Sequence, residues 1–238
     1  MIVLEKKKIF IVCVLLITFL TFILCFNAIS INPVGSAQTD AIKIVLDAGH
    51  GGIDGGVTGV KTGIKESELN LKVVKKIEKF LVDAGMLVYL TRSTEAGLYG
   101  VVNSSLKKKD MEKRRDIINS VKPNLVVSIH MNKYTLSTRR GAQVFYNINN
   151  ESSKLLAECV QEKLNSMEES VRKYSALSGD YYIVKCTDYP SIITECGFLS
   201  NPEDEALLIS ESYQESIAYT IFKGISTYLA QTTFIYNK

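Results

Sequence analysis

The sequence predicts a single α/β domain built on one central sheet, and three observations lead there. Short apolar runs rich in Val and Ile alternate with segments whose apolar residues recur every three or four positions. There is no internal repeat and no low-complexity stretch to suggest a solenoid or a second domain. Apolar residues make up 46% of the chain, enough for a packed core and unlike a disordered protein.

Part of that apolar content is concentrated at the N-terminus. Lys6-Lys7-Lys8 precede an uncharged run from Ile9 to Phe26. As a helix this run would span ~27 Å at ~1.5 Å per residue, close to the ~30 Å hydrocarbon core of a bilayer. Residues 1–37 therefore read as a membrane anchor or a signal peptide, with Gly35-Ser36-Ala37 as the exit if it is cleaved. The run exceeds the usual ~7–15 apolar residues of a signal peptide, which favours the anchor. Either way the basic flank stays inside and the body, residues 38–238, is extracytoplasmic.

The three lysines of this flank supply most of the formal charge of +3, so the body is nearly neutral. That argues against a nucleic-acid partner, which needs a concentrated basic face. Lys107-Lys108-Lys109 and Arg114-Arg115 read as solvated helix face. Cys159, Cys186 and Cys196 cannot all be paired within one chain, and no C-x-x-C is present, so no disulfide framework is expected.

In order, Ile42–Leu46 reads as a strand ending in the glycine-rich Asp47-Ala48-Gly49-His50-Gly51-Gly52. Leu69, Val73, Ile77, Phe80 and Leu81 give a helix from Glu66 to a glycine stop at Gly85. Met86–Leu90 is a second strand. Thr91–Lys109 lacks periodicity and reads as a long loop, a candidate contact surface. A helix from Asp110 to Val121 leads into the strand Leu125–Ile129, which ends at His130. Further strands are expected at Ala142–Tyr146, Tyr181–Val184 and Ser191–Thr194. Helices are expected around Leu155–Leu164, from Asn201-Pro202 and over Tyr213–Leu229.

The chain's only histidines, His50 and His130, both close strands. Two imidazoles at the strand ends of an α/β sheet suggest a metal site, but hydrolytic zinc takes three protein ligands, His2Glu among the known sets. Glu66, at a helix start sixteen residues after His50, is the best third ligand, with Glu68 as competitor. Glu195 ends the apolar strand Ile192-Ile193-Thr194, where a buried carboxylate needs a cation or a shifted pKa. A general base explains it. Strand alternation turns Cys196 to the opposite face. A glycosidase pairing Asp54 with Glu195 is the competing carboxylate arrangement, but it leaves both histidines without a role.

VLDAGHGGIDGG, ESELNL at Glu66, VSIHMN at His130 and ITECGFLSNPED at Glu195 together resemble the zinc-dependent N-acetylmuramoyl-L-alanine amidases of the amidase-3 type. The order and spacing match from about Lys43 to Leu229. The family commonly has EKDLNL in place of ESELNL and proline in place of Ala48, changes that touch no proposed ligand. The resemblance implies a mixed β-sheet flanked by helices. It implies one zinc ion on His50, Glu66 and His130, which resolves Glu66 over Glu68, and Glu195 as catalytic acid/base.

The implied substrate is peptidoglycan, cut at the amide between N-acetylmuramic acid and L-alanine. An N-terminal anchor followed by a bare catalytic domain is similar to the germination-specific amidases of spore formers. That layout implies action around the developing spore, removing stem peptides so that muramic lactam can form in the cortex. The alternative is a wall-binding or regulatory protein of amidase shape that is inactive without an activating partner. No substrate-contacting residue is assigned from the sequence.

Overall fold

The computed structural model describes residues 41–100 and 105–236, with side chains to residue 232. The expected anchor or signal segment lies outside the described residues. Among those described, no helix is long and apolar enough to cross a membrane.

Strands β1 (Lys43–Ala48), β2 (Leu87–Leu90), β3 (Leu125–Asn132), β4 (Gln143–Tyr146), β5 (Leu177–Ser178) and β6 (Ser191–Phe198) form one sheet in the order β2-β1-β3-β6-β4-β5. Neighbours β2, β1, β3 and β6 are parallel, and β4 runs antiparallel to β6, so the sheet is mixed. Helices α1 (Glu66–Asp83), α2 (Leu106–Val121), α3 (Glu151–Asn165), α4 (Tyr182–Lys185), α5 (Pro202–Ile209) and α6 (Glu211–Tyr236) flank it. The result is a single α/β domain.

Alternation along β1 explains the layers. Ile44, Leu46 and Ala48 enter a large core with Leu69, Val73 and Ile77 of α1, Leu156 and Val160 of α3, and Ile217 and Ile221 of α6. Val45 turns the other way, into a smaller cluster with Ile118 of α2 and Ile183 and Val184 of α4. Asp47 and His130 share that second face, at the C-terminal end of the parallel strands.

Helix α6 crosses α3 where Gly224 faces Val160, and a Cβ on Gly224 would lie 2.6 Å from the Val160 Cα. The neighbour is backbone, so it cannot turn aside. Gly224→Val is expected to cost about 1–3 kcal/mol by overpacking, read as a lower urea midpoint at unchanged slope.

Two expectations are corrected. Tyr181–Val184 is not a strand: residues Tyr182–Lys185 form the one-turn helix α4, and the short strand lies earlier, at Leu177–Ser178. Consecutive Ile183 and Val184 are both buried in one cluster, which a period of two cannot achieve. Helix α2 begins at Leu106 rather than Asp110, so the preceding loop is shorter than its lack of periodicity suggests. The loop's first residues are buried, Thr91 and Arg92 each being 4% exposed.

Candidate metal centre

His50 stands just past β1 with φ of 61°, a left-handed conformation that costs a non-glycine residue free energy. The surroundings impose it. Ala48 O accepts from Arg92 Nε and Arg114 Nη1, both at 2.8 Å. Gly49 O accepts from Arg92 Nη2 at 2.9 Å and Asn70 Nδ2 at 3.0 Å, and His50 O from Arg114 Nη2 at 2.7 Å. Three successive carbonyls are thus drawn onto two guanidinium groups, and the imidazole is left facing the cavity.

Arg114 is 1% exposed, which corrects its reading as solvated helix face; Arg115 beside it is half-buried. Asp110 Oδ2 lies 2.6 Å from Arg114 Nε, and Asp47 Oδ1 2.5 Å from Nη1. Asp47 also accepts from Ser128 Oγ at 2.5 Å and Thr91 Oγ1 at 2.6 Å. Burial pushes the Asp47 carboxyl up, but the Arg114 charge and these two hydroxyls outweigh it and bring the pKa down to about 2.

Glu66 opens α1 and is 2% exposed. Its Oε2 accepts from Val57 N at 2.8 Å, and its Oε1 from Met131 N at 3.1 Å. Oε1 also lies 2.9 Å from His130 Nδ1 and 3.3 Å from His50 Nε2. Burial opposes ionisation of Glu66, yet the hydrogen bonds of His130 and His50 hold its carboxyl well below the usual range. Glu68 turns away, into a surface groove with Lys72 and Lys75.

One atom from each of His50, Glu66 and His130 falls within 4.8 Å of the others, a spacing that fits a single metal ion. The imidazoles are nearly perpendicular, 5.1 Å apart. Gly49 makes room for this convergence, since a Cβ there would lie 2.1 Å from His130 Cε1. Asp54 Oδ2 sits 2.8 Å from His50 Nδ1 and so turns Nε2 toward Glu66. This accounts for Asp54 without a glycosidase role. Burial lowers the His50 pKa, but Glu66 and Asp54 more than offset it and raise it to about 9 in the metal-free protein.

Glu195 lies directly across from His130 in the β3–β6 register. It is 9% exposed, and its Oε2 has no hydrogen-bond partner. Burial, reinforced by the Glu66 charge, raises its pKa to about 7 against the opposing pull of His130 and His50. Just beyond it the register shifts, with Cys196 and Gly197 standing where β3 has Met131 alone. Cys196 points into the large core, as alternation predicts. His50, Glu66, His130 and Glu195 share one cavity of about 420 Å³, whose walls include Lys107, Lys133 and Tyr181.

Asp47, Arg92 and Arg114 escaped the sequence reading, although a signal existed. An acid inside the apolar run of β1 demands a buried cation, and Asp110, Arg114 and Ile118 recur at four-residue spacing as the inward stripe of α2.

The sequence matches the family of N-acetylmuramoyl-L-alanine amidases over residues 44–227. It is 34% identical over 192 residues to the germination-specific N-acetylmuramoyl-L-alanine amidase of Bacillus subtilis strain 168, covering 79% of this chain and 80% of that one. The fold is similar to the CwlD amidase from Clostridioides difficile, solved in complex with the GerS lipoprotein. The TM-score is 0.76 at 36% identity, covering 79% of this chain and 98% of that one. An N-acetylmuramoyl-L-alanine amidase from Clostridium difficile 630 matches with a TM-score of 0.71 at 28% identity, covering 81% of this chain and 98% of that one. The chain belongs to the N-acetylmuramoyl-L-alanine amidases of the amidase-3 type.

Proposed function

We propose that the protein is a zinc-dependent hydrolase that cuts the amide between the lactyl group of N-acetylmuramic acid and L-alanine of the stem peptide. The observation that carries this reading is Glu195, a buried carboxyl with one oxygen unpartnered, in the cavity where His50, Glu66 and His130 converge. Two imidazole nitrogens and a carboxylate oxygen are the donor set of hydrolytic zinc sites. A zinc ion held there supplies a Lewis acid that brings the pKa of water down to ~7 and stabilises charge on the carbonyl oxygen.

The chain's own residues do the rest. Glu195 takes the proton of the attacking water and returns it to the departing L-alanine nitrogen. Burial raises its pKa above the usual carboxylate range in the metal-free protein, which suits a group that must first accept and then donate. Asp54 keeps the His50 ring in one tautomer, and the Arg92 and Arg114 clamp keeps it aimed.

Residues 1–37 act as anchor or export segment, and residues 38–238 as the catalytic domain outside the membrane. The likeness to a germination-specific relative supports work on the spore cortex, where loss of stem peptides permits muramic lactam formation. The CwlD structure with a lipoprotein supports an accessory partner for this chain as well. The full set of converging residues disfavours a purely wall-binding role.

To test the reading, the protein is purified without added metal, its metal content determined by elemental analysis, and stem-peptide release from peptidoglycan assayed on the same sample. One equivalent of zinc with peptide release is expected. No metal, even after zinc is supplied, would overturn the assignment of His50, Glu66 and His130.

A further inference from the structure

The loop leaving β3 carries a cluster that the reaction at Glu195 does not use. Lys133 lines the cavity wall, and Tyr134 beside it is 46% exposed. The Arg139 guanidinium lies over the Tyr134 ring, 5.3 Å from its centroid, and over the Tyr174 ring at 5.4 Å. Arg172 lies over Tyr174 at 5.3 Å.

The stack is held rigidly. Tyr134 N donates to Ser200 Oγ at 3.0 Å, Asn201 Nδ2 to Ser137 O at 2.5 Å, and the Tyr174 hydroxyl to Arg140 O at 2.7 Å. Contact with two rings leaves the terminal Nη groups of Arg139 as its recognition surface. Its Nε is shielded from solvent and has no partner. Glu203 and Asp204 are taken by Arg140. Among the described residues, Lys133, Arg139 and Arg172 form no ion pair. Three unpaired cations, one of them fixed between rings, make a site completed by an anion, and the guanidinium fork suits a planar carboxylate.

We propose that Lys133, Arg139 and Arg172, with Tyr134 and Tyr174, form a subsite for a carboxylate of the stem peptide beyond the scissile amide. The proposal rests on the amidase reading and names the part of the substrate that the cavity itself leaves outside. Tyr134 follows His130 by four residues, a reach of at most ~14 Å at ~3.3–3.6 Å per residue. An extended stem peptide covers that distance in about three to four residues. This brings the acidic residues that follow L-alanine to the cations.

The test compares two muramoyl-tripeptides, one with its peptide carboxylates free and one with them amidated, using the zinc-loaded full chain. Binding of the corresponding free tripeptides is measured in parallel. The unaltered protein is expected to favour the free acid. Arg139→Met is expected to lower kcat/KM on it by about 10–100-fold, mainly through KM, and to leave the amidated substrate unchanged. Arg172→Met is expected to do the same more weakly, and Arg139→Lys to restore part of the loss.

Equal rates and equal binding for both forms in the unaltered protein would overturn the subsite while leaving the amidase reading intact. So would an equal loss on both substrates in the variants. If neither substrate is cleaved, the binding of the free and amidated tripeptides decides the subsite by itself. Preference for the free acid supports it and equal binding overturns it, while the amidase reading is judged separately by metal content.

Discussion

Replacing Glu195 by glutamine or alanine is expected to lower kcat by about 10²–10⁴-fold while the protein keeps its metal. Glu195 stands across from His130 but is not among the three residues whose donor atoms converge, so metal content measured on the same sample should not fall. His50→Ala should lose both metal and activity. Normal hydrolysis of a muramoyl-peptide by Glu195→Ala would remove Glu195 from the mechanism.

The pH dependence gives a second, independent readout. Glu195 must be ionised to accept a proton, so the rate should fall as pH drops through its pKa. That pKa is about 7 in the metal-free protein. A bound cation stabilises the carboxylate, so the acid limb of the loaded enzyme should lie at or below pH 7 and vanish in Glu195→Gln. The folding contribution has the opposite sense to that of a paired acid. A carboxyl whose folded pKa is raised costs stability as pH rises from its unfolded value through 7. Metal-free Glu195→Gln should therefore melt at a higher temperature than the unaltered protein above pH 7. A variant that gains stability and loses turnover marks a residue held for chemistry rather than for packing.

The sequence carried the site further than it carried the sheet. His50, His130 and Glu195 were legible because each interrupts the end of an apolar run, where a polar side chain has no packing reason to be. Glu66 and Glu68 could not be told apart by spacing. Burial decides between them, since only Glu66 reaches the imidazoles. Strand order is not written in periodicity, and the antiparallel placing of β4 beside β6 comes from long-range pairing.

Helix α4 was misread because four apolar residues carry no period to judge. The Tyr134, Arg139 and Tyr174 cluster was invisible for another reason: it joins a loop after β3 to a segment after α3, with no local pattern in either. Arg114 was masked by its setting, a helix rich in lysine that makes any further cation look solvated.

Arg114→Met is expected to be among the most destabilising substitutions in the body. It strips the cation from Asp47, which is 1% exposed, and removes a donor from the carbonyls of both Ala48 and His50. Breaking a buried ion pair from one side costs about 3–5 kcal/mol, read from the urea midpoint at pH 7. Arg114→Lys keeps the charge but cannot hold Asp110, Asp47, Ala48 and His50 from one planar fork, so it should recover only part of that loss.

The acid limb separates the electrostatic part from simple loss of packing. With Arg114 present, the depressed pKa of Asp47 contributes stability that is complete above its ordinary value of 3.8 and is lost as pH falls toward about 2. Without Arg114, burial is opposed by the hydroxyls of Ser128 and Thr91 and the weaker pull of His130, the pKa rises, and acid unfolding should begin at higher pH. Asp47→Asn added to Arg114→Met should bring the acid transition back down, because no buried carboxylate then remains there to be protonated. An Arg114→Met transition unmoved in pH would show that Asp47 is not held ionised by Arg114. The same variant should also retain metal less well, since the carbonyls that fix the left-handed turn at His50 would have lost their anchor.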